Sequence, residues 1–508
     1  MRKFFKTVAI VTIFSMSEKF LGFLYRIYLS RTIGAEGIGL YQVALSVFAL
    51  LFTLCSSGTP ITVSRLMTKY KAQNQPDRVS KIITAGIVFT LLVAIPLCLI
   101  FILFADNFSF LFADIRCIKI FKVIMPGLIF TSVYAVLRGV FWGNKDFLPY
   151  SIIELLEELV MILVGILLIS FVDDIYTGAY FAGVAVLVSY LFSFSLATIV
   201  FFVRKNKLKN PISEFKPLIS SAVPITAMRT ANSLANSLVS TILPLRLISA
   251  GYSSSNAISL FGSAVGQAIP LLCTPISLIG SFTLVLVPEI SENYYKNNHH
   301  YLKRDIEKAL KFTLFLTCLF VPTFSVCGKE IGLLVFNGNA CGEYLCVSAF
   351  LMIFMSLSAI TTSMLNSMGK ENKTLIYYII SEVFMLLSVI FLPQILGIYS
   401  LVVGFTFIYG ITSVLNLILL NKCCVEKPKY LKFLLLSTLL CVPTIIFGLM
   451  LEKLLLSILG IFLTFIVCSS SMLIFQVLLF FGFNLISIDF VKTKIKRNKT
   501  KLNPLKTN

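Results

Sequence analysis

Charged residues are scarce in this chain. Only 13% of its 508 residues are Asp, Glu, Lys or Arg, whereas 57% are hydrophobic. Soluble domains carry about 25% charged residues, so this chain has too little charge to cover a globule of its size in water. The scarcity excludes a water-soluble enzyme, a disordered chain and an ordinary nucleic-acid binder, and it indicates a polytopic membrane protein.

Histidine is rare as well, and the cysteines lack the spacing of a metal site. The two histidines, His299 and His300, are neighbours in a polar stretch, and the twelve cysteines form no CxxC pair. Most of the cysteines stand inside apolar runs, where they act as small apolar side chains. The sequence also has no phosphate-binding loop and no nucleophile beside a base. It therefore predicts no metal, no cofactor, no enzyme activity and no use of ATP.

Long apolar runs recur along the whole chain. A bilayer crossing needs ~20 helical residues, and fourteen runs of that order can be placed. They lie at 7–30, 38–66, 82–104, 117–141, 150–171, 179–203, 217–248, 258–287, 309–326, 344–368, 374–396, 398–420, 431–450 and 455–483. With the N-terminus inside, 31 of the 43 Lys and Arg residues fall in inner connections and tails, and five in outer ones. This asymmetry predicts a multi-pass plasma-membrane protein with both termini in the cytoplasm.

Two parts of the sequence resemble each other at an offset of about 220 residues. Residues 39–65 parallel 259–289, and 137–153 parallel 363–379. Each copy contains six helices, an even number, so the second copy enters the membrane from the same side as the first and has the same orientation. We expect an all-α protein with two six-helix lobes, related by a parallel pseudo-twofold axis. The predicted parts are an N-lobe (1–203), a cytoplasmic linker (204–216), a C-lobe (217–421), helices thirteen and fourteen (431–483) and a basic cytoplasmic tail (484–508).

Several basic and amide side chains stand inside the predicted spans, where a charge costs roughly 2.5–3.5 kcal/mol on insertion scales. Lys19 and Arg26 share one face of helix one, and Arg229 shares a face of helix seven with two asparagines. Such polar faces indicate a water-filled cavity, and basic side chains there fit a substrate with an anionic headgroup. The residues predicted to bind the substrate are Lys19, Arg26, Arg229, Arg246, Asn232, Asn236 and Gln42.

Acidic residues inside the spans occur on predicted helices one, five and eleven. We interpret them as gating or ion-coupling residues; they are Glu18, Glu154, Glu157, Glu158 and Glu382. The alternative is that acids and bases only neutralise each other in structural ion pairs. Arg65, Lys122, Arg138 and Arg246 lie near helix ends, where long basic side chains are expected to snorkel.

Proline and glycine interrupt several of the predicted spans. Gly58-Thr59-Pro60 lies in helix two, Pro224 and Pro244 in helix seven, and Pro270 and Pro275 in helix eight. Kinks at proline free backbone carbonyls. We expect these positions to act as hinges.

The stretch LGFLYRIYLSRTIGAEGIGLYQ (21–42) resembles the opening signature of the stage V sporulation protein B family. Residues 243–272 and the later VPEISE (287–292) are also similar to that family. It belongs to the multidrug/oligosaccharidyl-lipid/polysaccharide (MOP) flippase superfamily, close to the lipid II flippases. The resemblance covers about 1–430. It implies a multipass inner-membrane flippase for an undecaprenyl-pyrophosphate-linked saccharide, such as lipid II for peptidoglycan or spore cortex.

The resemblance is incomplete at the cavity. Lipid II flippases line it with bases on helices one, two and eight. Helix one of this chain keeps Lys19 and Arg26, whereas the middle of helix two and all of helix eight lack Lys and Arg. By this comparison, Arg229 and Arg246 of helix seven are predicted to substitute for the missing bases.

The prediction is therefore a flippase that works by alternating access. Its predicted ligands and partners are a lipid-linked oligosaccharide, membrane lipids and cell-wall synthesis enzymes, but no nucleic acid. Membrane potential and an ion gradient both stay open as the energy source. The alternatives are a cation-coupled multidrug antiporter, a flippase for another polysaccharide precursor, a membrane-embedded glycosyltransferase or polymerase, and a scaffold without transport. A glycosyltransferase or polymerase would need acidic residues outside the bilayer, and Asp173-Asp174 is the one acidic pair in an outer connection.

Overall fold

The computed structural model describes residues 2–112, 114–144, 146–172, 174–456, 459–483 and 485. Of the residues in these ranges 88% are helical, and none is in a strand. The predicted all-α class is confirmed.

The α-helices are numbered here in chain order. They are α1 (Arg2–Ser56), α2 (Thr59–Ala72), α3 (Pro76–Leu103), α4 (Arg116–Ile124), α5 (Gly127–Gly143), α6 (Phe147–Ile169), α7 (Ile175–Val203), α8 (Phe215–Ser249), α9 (Ser254–Phe261), α10 (Ile269–Tyr295), α11 (His299–Val326), α12 (Gly328–Phe336), α13 (Asn339–Ser348), α14 (Leu351–Ser367), α15 (Glu371–Phe391), α16 (Pro393–Leu396), α17 (Ser400–Cys423), α18 (Leu431–Leu439), α19 (Cys441–Leu456) and α20 (Ile461–Gly482). A π-helix (Gly262–Ala268) joins α9 to α10, and three short 3₁₀ helices lie at Ala105–Leu111, Ile212–Glu214 and Gly397–Tyr399.

Many of these helices have the length and composition of membrane spans. The described part contains nine such helices, or up to eleven if each of two bent pairs is one span. Helix α1 has 55 residues, or about 80 Å at 1.5 Å per residue, which exceeds two crossings of a ~30 Å core. It is broken at Gly34, where φ is 65°, so it contains the first predicted span and most of the second. The total of fourteen stays a prediction.

The helix breaks agree only in part with the predicted proline sites. Helix α1 ends at Ser56 and α2 begins at Thr59, as Gly58-Thr59-Pro60 predicts. Pro60 has no N–H for the Ser56 carbonyl, which accepts instead from the Thr59 hydroxyl at 2.9 Å. The interruptions expected at Pro224 and Pro244 are wrong, because α8 continues through both. The irregular turn near Pro270 is the π-helix that precedes it.

The chain divides into two compact units. Unit 1 is Met1–Pro270 with Leu386–Leu401, and unit 2 is Leu271–Met385 with Val402–Asn508. In unit 1, α1 packs against α6, α7, α8, α9 and the π-helix, and α2 packs between α3 and α5. In unit 2, α11 packs against α14, α19 and α20. The two predicted six-helix lobes and the linker boundary stay predictions.

Connections predicted to lie on the same side of the membrane meet within each unit. In unit 1, three connections predicted to be cytoplasmic are joined by side chains. The contacts are Arg78 with Glu214 (2.7 Å), Arg204 with Asp146 (3.0 Å), Lys209 with Asp77, and Lys71 with Asn144. In unit 2, the inner-side residues Lys303 and Glu426 pair at 3.3 Å. This sorting agrees with the predicted alternation of spans; the cytoplasmic position of the termini stays a prediction.

Candidate functional site

A cavity of about 200 Å³ lies inside unit 1 among α1, α5, α6 and α7. Its wall carries four carboxylates and one guanidinium, together with tyrosine and phenylalanine rings; the charged members are Glu18, Glu154, Glu157, Glu158 and Arg138. Helix α6 presents three of the glutamates on one face, because residues spaced by three and four positions are neighbours on a helix. Four of the five predicted coupling residues therefore share one cavity.

The acids of the cavity outnumber the base that pairs with them. Arg138 Nη1 lies 3.3 Å from Glu154 Oε1, and its guanidinium stands 5.3 Å from the centre of the Trp142 ring. On the α1 side, Gly22 leaves room for the neighbouring carboxylate, since a Cβ there would come within 2.8 Å of Glu158 Oε1. The cavity thus holds more carboxylate than guanidinium charge, in surroundings where unneutralised charge is costly.

Arg26 bonds to the backbone at the π-helix. Its Nη1 donates to the Gly266 carbonyl at 3.0 Å. The neighbouring Gln267 is buried and donates to the Ser30 hydroxyl at 2.8 Å. A π-helix departs from the regular i to i+4 bonding of an α-helix, and here polar side chains of α1 bind along it.

Arg229 bonds to the backbone at the other break. Its Nη1 lies 3.3 Å from the Ser57 carbonyl, between the end of α1 and the start of α2. The Thr226 hydroxyl accepts from the Gly58 N–H at 3.1 Å. At Gly58 a Cβ would lie 2.3 Å from the Ala222 carbonyl oxygen, so only glycine allows α8 to approach this closely. Arg26 and Arg229 therefore each bond to a neutral carbonyl at an irregular point of a helix.

The other predicted binding residues have no common position of this kind. Lys19 is exposed on α1, next in sequence to Glu18, and Arg246 is half-buried in the last turn of α8. Gln42 is half-buried on α1 and Asn236 is exposed on α8. The Asn232 side chain lies outside the described residues.

Glu382, the fifth predicted coupling residue, belongs to α15 of unit 2. Only 7% of it is exposed, and it lies beside Tyr378. No group of three or more His, Cys, Asp or Glu side chains among the described residues is arranged to hold a metal ion.

Arg138 is the site residue that sequence reasoning missed. It was expected to snorkel from a helix end, but it lies in the cavity wall against Glu154 instead. The two residues are sixteen positions apart on different helices, so no helical periodicity connects them. Lys122, also expected to snorkel, pairs with the exposed Asp106 at 3.1 Å.

The sequence profile of the family described as "Polysaccharide biosynthesis protein" matches residues 4–294, more than half of the chain. The chain belongs to this polysaccharide biosynthesis protein family. The predicted resemblance is confirmed by two relatives in Bacillus subtilis (strain 168). Stage V sporulation protein B is 26% identical over 68% of this chain and 69% of its own length. Lipid II flippase MurJ is 21% identical over 62% of each chain.

Solved structures show the fold of this family member. A structure titled "Lipid II flippase MurJ, inward closed conformation" matches with a TM-score of 0.71 and 16% identity, over 94% of this chain and 99% of the other. An inward-facing multidrug resistance MATE family transporter of the MOP superfamily matches with a TM-score of 0.62 and 15% identity, over 79% and 92%. The protein is thus a multi-pass membrane protein with the fold of MOP-superfamily transporters.

Proposed function

We propose that the protein is a flippase that moves an undecaprenyl-pyrophosphate-linked saccharide, lipid II in the first place, from the inner to the outer leaflet. The similarity to stage V sporulation protein B and to lipid II flippase MurJ supports this substrate class. The headgroup would enter an inward-open state, and rocking of the protein would present it to the outside. The cell membrane is the site of this transport.

The observation that carries the proposal is the bonding of Arg26 and Arg229. Both donate to backbone carbonyls at helix irregularities, and a guanidinium has five N–H donors, so each can bind an anion in addition to such a carbonyl. A guanidinium binds phosphate oxygens in a bidentate manner. Lys19 and Arg246 would add charge for the pyrophosphate, and Asn232, Asn236 and Gln42 would bond to polar groups of the headgroup.

The acidic cavity is proposed as the coupling site. Four carboxylates around one small space cannot all stay charged at acceptable cost, so protons bound to them offset part of the charge. Proton uptake from outside and release inside would then drive the cycle. We further propose that Glu382 has a similar role in unit 2.

A second candidate function is a multidrug antiporter. The observation that favours it is the same cavity, since clustered glutamates also suit a cationic drug. The two functions differ in the charge of the cargo, which an experiment can determine.

The test is a flipping assay in vesicles that contain the full-length protein, with lipid II and a cationic dye as alternative cargoes. We expect the wild type to move lipid II. Arg229→Gln and Arg26→Gln should each slow it about tenfold or more, because a charge-assisted hydrogen bond contributes about 1.5–3 kcal/mol. The matched control is Lys119→Gln, which removes an exposed base from α4.

Dye transport without lipid II flipping would replace the flippase proposal with the antiporter. Full lipid II flipping by folded Arg26→Gln and Arg229→Gln variants would overturn the assignment of these residues. A wild-type protein that moves neither cargo would contradict both functions.

A further inference from the structure

Three connections that the sequence places on the outer side meet around Asp114 and Arg116 in unit 1. They are the segment after the Gly34 break of α1, the turn before α4 and the start of α9. Arg116 Nη2 lies 2.7 Å from Glu36 Oε1 and 2.9 Å from Asp114 Oδ2. The Ser254 hydroxyl donates to the same Asp114 oxygen at 2.9 Å. Three segments far apart in sequence are thus held by one chain of hydrogen bonds.

Asp114 is the buried centre of this group. Its side chain is 7% exposed, compared with 20% for Glu36 and 34% for Arg116. Its other oxygen accepts from the Arg116 backbone N–H at 2.9 Å and from Nε at 3.1 Å. Burial favours the neutral carboxyl, but the hydrogen bonds from Arg116 and Ser254 outweigh it and hold the pKa of Asp114 below its usual value. The carboxylate is therefore charged at neutral pH.

Close packing around this group requires glycine. A Cβ at Gly39 would lie 2.2 Å from the Ile258 carbonyl oxygen of α9, and one at Gly262 would lie 2.0 Å from the Ala35 carbonyl oxygen. Gly34 has φ of 65°, a conformation that favours glycine. The glycines of the GAEGIG run (34–39) thus let α9 and the π-helix pack closely against α1. The glutamate of the same run, Glu36, binds Arg116.

We propose that Glu36, Asp114, Arg116 and Ser254 form a latch that holds the outer side of unit 1 closed. This inference rests on the alternating access of the proposed function. It adds the residues that would form the outer gate. Arg116 and Glu36 are partly exposed, so water can replace their mutual bond when the latch opens. Asp114 keeps its bonds to Arg116 within the turn, so opening would separate this turn from α1 and α9.

The latch can be tested without any substrate. Hydrogen–deuterium exchange of the full-length protein in lipid nanodiscs reports opening at residues 30–40 and at the first turn of α9. Glu36→Gln and Ser254→Ala should each speed exchange there, and Arg116→Gln should speed it most, by about 10- to 100-fold for a lost charge-assisted bond.

The matched control is Lys122→Gln, which removes an ion pair to Asp106 close to the same turn. Its exchange at α9 should equal that of the wild type. Unchanged exchange in Glu36→Gln and Arg116→Gln variants that keep the wild-type unfolding midpoint would overturn the latch. Because exchange needs no cargo, a failure of the flipping assay would leave this result unaffected, and the two proposals can fail separately.

Discussion

The two charged regions of unit 1 differ in what their charges face. In the cavity, glutamates face one another, and Arg138 is paired with one of them. Arg26 faces a backbone carbonyl of the π-helix, and Arg229 faces one at the break between α1 and α2. The first arrangement needs protons or a cation to offset its charge, whereas the second presents guanidinium groups, whose geometry suits a phosphate. The proposed coupling and the proposed cargo binding can therefore be tested with different variants.

The largest expected effect is a loss of stability when the cavity arginine, Arg138, is replaced. It should exceed the loss when Arg229 is replaced at the break between α1 and α2. Arg138→Gln leaves Glu154 without its guanidinium, and because both side chains are partly exposed we expect a loss of about 2 kcal/mol in unfolding free energy. Arg229→Gln removes a bond to a neutral carbonyl and should cost about 1 kcal/mol. Unfolding in detergent, followed by circular dichroism, measures both.

The double variant Arg138→Gln with Glu154→Gln serves as the control for the first prediction. Removing both charges takes away the uncompensated carboxylate, so most of the lost stability should return. If the double variant is less stable than Arg138→Gln alone, the pair has no role in balancing the cavity charge.

An intermediate effect is expected on coupling. An imposed proton gradient, acidic outside, should speed lipid flipping several-fold in wild-type vesicles, and Glu157→Gln should remove that response. Its unfolding midpoint should not fall, because a like charge has been taken from the cavity. The response is measured as the ratio of flipping rates with and without the gradient. An unchanged ratio in Glu157→Gln would exclude this glutamate from coupling.

The smallest effect is expected at Gly22. Its Cβ in Gly22→Ala would come within 2.8 Å of Glu158 Oε1, which is the end of a flexible side chain and can move. Alanine also favours the helix, so stability should change by less than about 1 kcal/mol. Flipping should change about two- to threefold through the displaced carboxylate. A loss of folded protein would show that Glu158 is held rigidly.

The fold class and the local charge patterns were predictable from the sequence. Long apolar runs determine membrane helices, and the spacing of Glu154, Glu157 and Glu158 alone places them on one face. The break before α2 was predictable because Pro60 lacks an N–H. Pro224 and Pro244 gave no break, since neighbouring helices and local adjustments often preserve a membrane helix through proline.

The partners across helices were not predictable. Glu18 and Arg138 join the α6 glutamates only through packing, and the partner of Arg26 is a carbonyl in a π-helix that no side-chain pattern announces. The same holds for Glu36, whose place in an unusual glycine-rich run was visible but whose contact with Arg116 was not. Sequence pattern identifies charged residues within spans, whereas the group that each one faces is set by tertiary structure.

The most direct test of the central claim compares cargoes that differ only in charge. Wild-type vesicles would be given a polyprenyl saccharide joined through pyrophosphate, and the same saccharide joined through a neutral ether. We predict rapid flipping of the pyrophosphate compound and at least about tenfold slower movement of the ether. Equal rates for the two would contradict a site built from cations to receive an anion.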